Sequence, residues 1–290
     1  MSVFVMKLIA VGSMIIDHLG YFLFPRFTSQ GVYFVMRSIG RMAFPVYCFL
    51  IVNGYEKTRD VKRYLSRLIL FALISQIPFV MCFDANPFPM GGGLHYALGC
   101  RWFVGLLLIP VAGIGWYTTV RRDASVLLPV LALIAAVSRL DFGGVRIFSS
   151  ELNVFYTLAL GLACVALLDS AAKPERDTVK LLMQLLALVS ALYLIGDNAD
   201  YRLLGVALIV AIWLARRSRL SQIVVILLWC AVEYVLGGLP VYYFLCALLA
   251  IVPVFLYNGE LGRPVKSAFY LIYPIHLAVL GVLTVHFTLA

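Results

Sequence analysis

The chain has 290 residues, of which 63% are hydrophobic and only 13% charged, with a formal net charge of +9. So small a charged share cannot cover the surface of a soluble domain, and the apolar residues come in blocks of about seventeen or more, so the composition excludes a soluble fold and reads as an all-α, polytopic transmembrane helix bundle. The positive excess lies in alternate short links, with no basic tail and no basic run interleaved with aromatics, which excludes a nucleic-acid partner.

In chain order, the hydrophobic runs predict about ten or eleven spans, at 4–24, 33–54, 65–84, 102–120, 124–140, 153–170, 178–196, 201–216, 220–236, 240–257 and 267–289. The first lacks a basic leading region and a small-residue cleavage site, so it is read as a span and not as a signal peptide. One set of links holds Lys57, Arg59, Lys62, Arg63, Arg67, Arg121, Arg122, Lys173, Arg176, Lys180, Arg216, Arg217, Arg219, Arg263 and Lys266. The opposite set holds only Arg26, Arg101, Arg139, Arg146 and Arg202. The asymmetry puts the first set, and the N-terminus, in the cytoplasm. The longest outer links are 85–101, rich in Pro and Gly, and 141–152. No soluble domain and no internal repeat is visible, so residues 1–290 read as a single integral membrane domain without the inverted repeats common in transporters.

Ionisable groups inside these runs mark candidate functional positions, because charge in hydrocarbon is costly. Asp17 and His18 lie in the first run, and Arg37 and Arg41 in the second. The two runs are joined by a short link and run in opposite directions, so Asp17, His18 and Arg41 fall within a few ångströms of the same depth at ~1.5 Å rise per residue. An Asp17–Arg41 pair lowers the cost of burying both charges, and Arg37 sits one turn away on the same helix face. Pro45 removes the hydrogen bond to the Arg41 carbonyl and Gly40 permits close packing, which predicts a kink there. In the last run, Tyr273, Pro274 and His276 form a third cluster, which can bring a second imidazole toward the first. Lys7 can snorkel to the inner interface.

Two readings of these charges stand at this point. One is a buried structural ion-pair network. The other is an acid–base centre, in which His18 acts as general base or nucleophile and Arg37 or Arg41 holds an oxyanion or an anionic group. Adjacent positions on a helix point about 100° apart, so Asp17 and His18 do not form a triad pair with each other. No metal-ligand spacing, phosphate-binding loop or nucleophile elbow is present. The six cysteines contain no CxxC pair and read mostly as small buried hydrophobes, while Cys82 and Cys100 both fall near the outer face, where a disulfide is open to them.

At these positions the chain resembles the TraX family of membrane acetyltransferases. The likeness is carried by Lys7 with MIIDHLG (14–20), RSIGRMAFPVYCFLIVNGYEKT (37–58), RLILFALISQIPF (67–79), LNVFYTLALGL (152–162), DYRLLGVALI (200–209), PVFLYNGELG (253–262) and FYLIYPIHLAVL (269–280). The resemblance implies an enzyme of the bacterial inner (cytoplasmic) membrane that uses cytoplasmic acetyl-CoA to acetylate an amine or hydroxyl at the outer face, as the family's pilin N-acetyltransferase does. It implies Asp17, His18 and Arg41 as the catalytic centre. Asn153, Asp200, Tyr273 and His276 join Arg37 as substrate-binding candidates. Lys57, Arg63, Arg67 and Asn258 become candidates for the coenzyme, the three basic residues toward its phosphates. The acceptor class stays open among a peptide N-terminus, a glycan and a lipid, and no metal is implied. Residues 85–150 carry no matching motif and read as an insertion with two extra spans relative to the family. The alternative is a secondary transporter or flippase that uses the buried Asp–Arg/His cluster as its coupling site.

Overall fold

The structure is a computed structural model that describes residues 1–24, 27–83, 141–142, 145–146, 151–174, 178–263 and 268–289. The spans expected at 102–120 and 124–140, and the link 85–101, lie outside the described residues. Every other expected span falls on helix. Among the described residues, five helices are long and apolar enough to cross a bilayer: Val3–Leu23, Gln30–Lys57, Val61–Phe83, Val154–Ala171 and Arg219–Leu236. Large apolar side chains such as Leu8, Val35, Ile74 and Leu228 are exposed on them. Such side chains face lipid acyl chains at no cost, while each helix satisfies its own backbone. The protein is a multi-pass helical membrane protein.

The chain forms two compact units. The first comprises 1–57 and 207–280. It begins with α1 (Val3–Leu23), α2 (Gln30–Gly40) and α3 (Ala43–Lys57). The sequence reads α2 and α3 as a single kinked span, and the break falls at Arg41–Met42, four residues before Pro45. The cause is local. Pro45 has no N–H to give the Arg41 carbonyl, and it is tolerated as the third residue of α3, where helical N–H groups have no intrahelical partner in any case. The Arg41 N–H closes a tight turn on Ser38 O at 3.1 Å. Ser29 caps the start of α2 by accepting from the Val32 N–H at 3.5 Å.

In the second unit, α4 (Val61–Phe83) packs against α5 (Val154–Ala171), and α5 against α6 (Thr178–Ile195). A two-residue antiparallel pair, β1 (Asp141–Phe142) with β2 (Val145–Arg146), sets Asp141 opposite Arg146 and Phe142 opposite Val145. It lies in the stretch read from sequence as an outer link. Cys82 is a buried free thiol, and Cys100, with which the sequence left a disulfide open, lies outside the described residues. The next helix, α7 (Arg202–Leu214), begins in this unit and passes into the first at residue 207.

The first unit then resumes. In α8 (Arg219–Cys230), Ser218 caps the first turn through Ser221 N–H at 3.3 Å, and the helix continues as a π-helical segment, Ala231–Leu236. The expected span 240–257 is divided into α9 (Val241–Leu248) and α10 (Ile251–Phe255). The last helix, α11 (Ala268–Leu289), contains Pro274 and contributes residues 268–280 to this unit.

Candidate active site

The polar centre of the first unit is built on α1, where it packs against α2. Close approach of these helices rests on two glycines. A Cβ on Gly20 would stand 2.7 Å from Met36 Cβ, and a Cβ on Gly40 would fall on the Asp17 carboxyl group itself. Asp17 is 6% exposed, yet its carboxylate is matched on both oxygens. Arg37 Nη1 donates to Oδ2 at 2.6 Å and Arg41 Nη2 donates to Oδ1 at 2.7 Å. Arg41 Nε also donates to the Arg37 carbonyl at 3.1 Å, which ties the broken end of α2 to its own guanidinium. Tyr21 lies under the Arg37 guanidinium at 5.8 Å and Tyr243, on α9, under that of Arg41 at 5.6 Å. Charge-assisted hydrogen bonds and aromatic faces are what a buried guanidinium requires. These three groups together still carry one positive charge in excess.

The sequence reading anticipated the Asp17–Arg41 pair. The structure adds Arg37 to it, so Arg37 is a partner of Asp17 as well as a candidate contact for substrate. Both guanidiniums keep an open edge, with side-chain exposures of 21% for Arg37 and 16% for Arg41.

One residue along α1, about 100° around the helix, His18 meets the last helix. His18 Nδ1 lies 2.7 Å from His276 Nε2, with the ring planes 11° apart and 5.0 Å between centroids. His276 Nδ1 lies 2.7 Å from the Ile272 carbonyl. A carbonyl oxygen only accepts, so His276 Nδ1 donates. In the neutral ring His276 Nε2 is then the acceptor, so His18 Nδ1 donates to it. The chain of bonds therefore puts the basic lone pair of His18 on Nε2. Tyr273 packs edge-on to both rings, at 6.2 Å from His18 and 5.5 Å from His276, and is itself 4% exposed. His18 and His276 are each half-buried.

The remaining predicted residues fall elsewhere. Lys57, the last residue of α3, donates from Nζ to Tyr257 Oη at 2.7 Å and to Gly259 O at 2.6 Å. Asn258, in the same loop, donates to Glu260 Oε2 at 2.9 Å, and its N–H bonds Met1 O at 3.0 Å. Arg63 and Arg67 lie on the first turns of α4 in the second unit, where Arg67 Nε donates to Arg63 O at 3.2 Å.

Asn153 and Asp200 also belong to the second unit. Asn153 is fully buried and caps α5, accepting from Phe155 N–H at 3.1 Å. Its amide donates to Ala72 O at 2.7 Å and Gln76 Oε1 at 2.9 Å, so both amide hydrogens are engaged within the protein. The environment is that of a helix cap locked to α4. Asp200 is exposed, and its backbone holds the strand-like contact of Leu152 with Ala199 through a 2.9 Å bond from its N–H to Leu152 O. Among the described residues no group of three or more His, Cys, Asp or Glu side chains is arranged to hold a metal.

Sequence reasoning missed Arg219, the first residue of α8, which was read only as part of a basic inner link. Its Nη1 donates to Val254 O at 2.8 Å, and its guanidinium lies over the rings of Phe49 at 5.1 Å and Tyr257 at 4.9 Å.

The family model described as TraX protein matches residues 2–91 and 102–284. Its interruption, 92–101, is narrower than the 85–150 stretch that the motifs leave unmatched. A relative from Dichelobacter nodosus, a probable fimbrial assembly protein FimC of serogroup H1, is 25% identical over 290 residues, covering 96% of this chain and 94% of its own. An uncharacterized protein, RP591, of Rickettsia prowazekii (strain Madrid E) is 40% identical over 73 residues, 25% of each chain. No solved structure matches the chain significantly. With both site helices and the His276 helix inside the matched ranges, the chain belongs to the TraX family.

Proposed function

We propose that the protein is an acetyl-CoA-dependent acetyltransferase of the bacterial inner membrane, which modifies an acceptor amine or hydroxyl at the outer face. The observation that carries the reading is the bond sequence His18 Nδ1–H to His276 Nε2 and His276 Nδ1–H to Ile272 O, at 2.7 Å each. It gives one imidazole a defined tautomer, with Nε2 as base, one helix position from a pair of partly exposed guanidiniums. A purely structural ion-pair network has no use for a fixed imidazole tautomer.

The step is direct acyl transfer. The acceptor nitrogen or oxygen attacks the thioester carbonyl carbon, and His18 Nε2 takes the proton the acceptor loses. The negative charge that develops on the carbonyl oxygen is met by the excess positive charge on Arg37 and Arg41. The tetrahedral species collapses with cleavage of the C–S bond, and the departing thiolate takes the proton back from His18. Asp17 holds both guanidiniums in place and takes no proton. His276 and Tyr273 are positioning residues.

That the Dichelobacter relative is a probable fimbrial assembly protein favours a peptide acceptor of the pilin type over a glycan or a lipid. The test is the purified protein in detergent or nanodiscs with acetyl-CoA, scored for free thiol in the presence and absence of candidate acceptor peptides. Acceptor-dependent thiol release supports the reading. Movement of an acceptor across the membrane without thiol release replaces it with transport.

A further inference from the structure

A second polar cluster lies at the inner end of the first unit, where α3 ends and α8 begins. Two cations meet one tyrosine there. Lys57 Nζ donates to the Tyr257 hydroxyl at 2.7 Å, and the Arg219 guanidinium carbon is 4.9 Å from the ring centroid. The same hydroxyl donates to Asn53 Oδ1 at 3.1 Å. Phe49 packs edge-on to the ring at 5.5 Å.

Neither cation is matched by an acid among the described residues. The partners of Lys57 are a phenol oxygen and a backbone carbonyl, and Arg219 gives one N–H to a carbonyl. The acids of this region are engaged elsewhere: Glu56 pairs with Arg216 at 3.4 Å, and Glu260 accepts from Asn258. Arg219 also stands on the first turn of α8, where the helix dipole disfavours a cation. Lys57 uses two of its three N–H groups and Arg219 one of five, so N–H donors remain on both for an anion. Topology alone asks for positive charge near the inner interface. It does not ask for two cations fixed on one buried tyrosine without a counter-charge.

The geometry points to a phosphate-binding site made by Lys57 and Arg219 on Tyr257, which takes the phosphate groups of the acyl donor's nucleotide at the inner mouth of the first unit. This rests on the acetyltransferase reading and extends it with Arg219 and Tyr257. A phosphate ester on a lipid headgroup has the same chemistry, so the test separates the two sources.

Binding of radiolabelled CoA, and of its analogue lacking the 3′-phosphate, is measured on purified wild type and on Arg219→Gln, Arg219→Lys and Lys57→Met, in nanodiscs with and without anionic lipid. Each variant is first checked for a wild-type gel-filtration profile. The site predicts that Arg219→Gln and Lys57→Met weaken CoA binding about tenfold or more, since a hydrogen bond to a charged group is worth ~1.5–3 kcal/mol. Arg219→Lys recovers part of the loss, and the preference for CoA over pantetheine, which has no phosphate, falls in both charge-removing variants. Wild-type affinity for CoA in both charge-removing variants overturns the site and leaves the enzyme reading intact. Losses confined to anionic-lipid nanodiscs assign the cations to lipid and overturn it equally. A wild-type protein that neither binds CoA nor releases its thiol overturns the site together with the reading beneath it.

Discussion

His276 stands to His18 as an orienting acceptor, 2.7 Å from Nδ1 to Nε2 across 258 residues of sequence. Its own opposite nitrogen is fixed by the Ile272 carbonyl one helical turn back, so the direction of both hydrogen bonds follows from a single backbone oxygen. In the proposed reaction His276 takes the place of a carboxylate behind the imidazole without a further charge to bury, which is costly in low dielectric.

A glutamine at position 276 keeps an amide oxygen near the place of Nε2, while alanine removes the acceptor. His276→Gln is therefore expected to retain more acetyl transfer than His276→Ala. Both variants should lower kcat with little change in KM for acetyl-CoA, because His276 acts on the base and not on the donor. Steady-state rates of thiol release in the three forms check this. Equal activity of His276→Ala and wild type contradicts it.

Asp17 holds two guanidiniums. Replacing it with asparagine leaves Arg37 and Arg41 facing each other with no negative charge between them, a change that costs about 3–5 kcal/mol for a broken buried pair. Arg37→Gln should cost less, since Asp17 keeps Arg41. The order of thermal unfolding temperatures in detergent is expected to be wild type, then Arg37→Gln, then Asp17→Asn.

Much of this cluster was readable in the chain. Asp17, His18, Arg37 and Arg41 stand out because charge interrupts otherwise apolar runs, and Pro45 with Gly40 marks the place where the second span breaks. The meeting of His18 with His276 was open to sequence reasoning only as a possibility, because it depends on how the first and last helices pack. The close packing that Gly40 permits was readable, but its partner was not: only the structure sets the Asp17 carboxyl where a Gly40 Cβ would be. The π-helical segment at Ala231–Leu236 leaves no compositional mark in an apolar run.

Gly40→Ala follows from that steric finding. The added methyl must displace Asp17 or push α2 away from α1, and overpacking of this kind costs about 1–3 kcal/mol. A lowered unfolding temperature together with reduced transfer is expected. Gly12→Ala, where a Cβ meets nothing within 4 Å, serves as the control and should behave as wild type.

Asn153 tests whether burial in a matched motif means chemistry. Its side chain caps α5 and bonds Ala72 and Gln76, partners more than seventy positions away that no local pattern reveals. Asn153→Ala should lower stability by about 1–2 kcal/mol for the lost cap, with kcat and KM of the folded fraction unchanged. A large fall in kcat at unchanged stability would return Asn153 to the substrate.

Acceptor-dependent release of thiol from acetyl-CoA, compared between wild type and His18→Ala at matched folded concentration, bears most directly on the account. A general base is worth about 10²–10⁴-fold, so the alanine variant is expected to lose at least a hundredfold while still binding CoA. Undiminished release by His18→Ala would contradict the assignment of the reacting base.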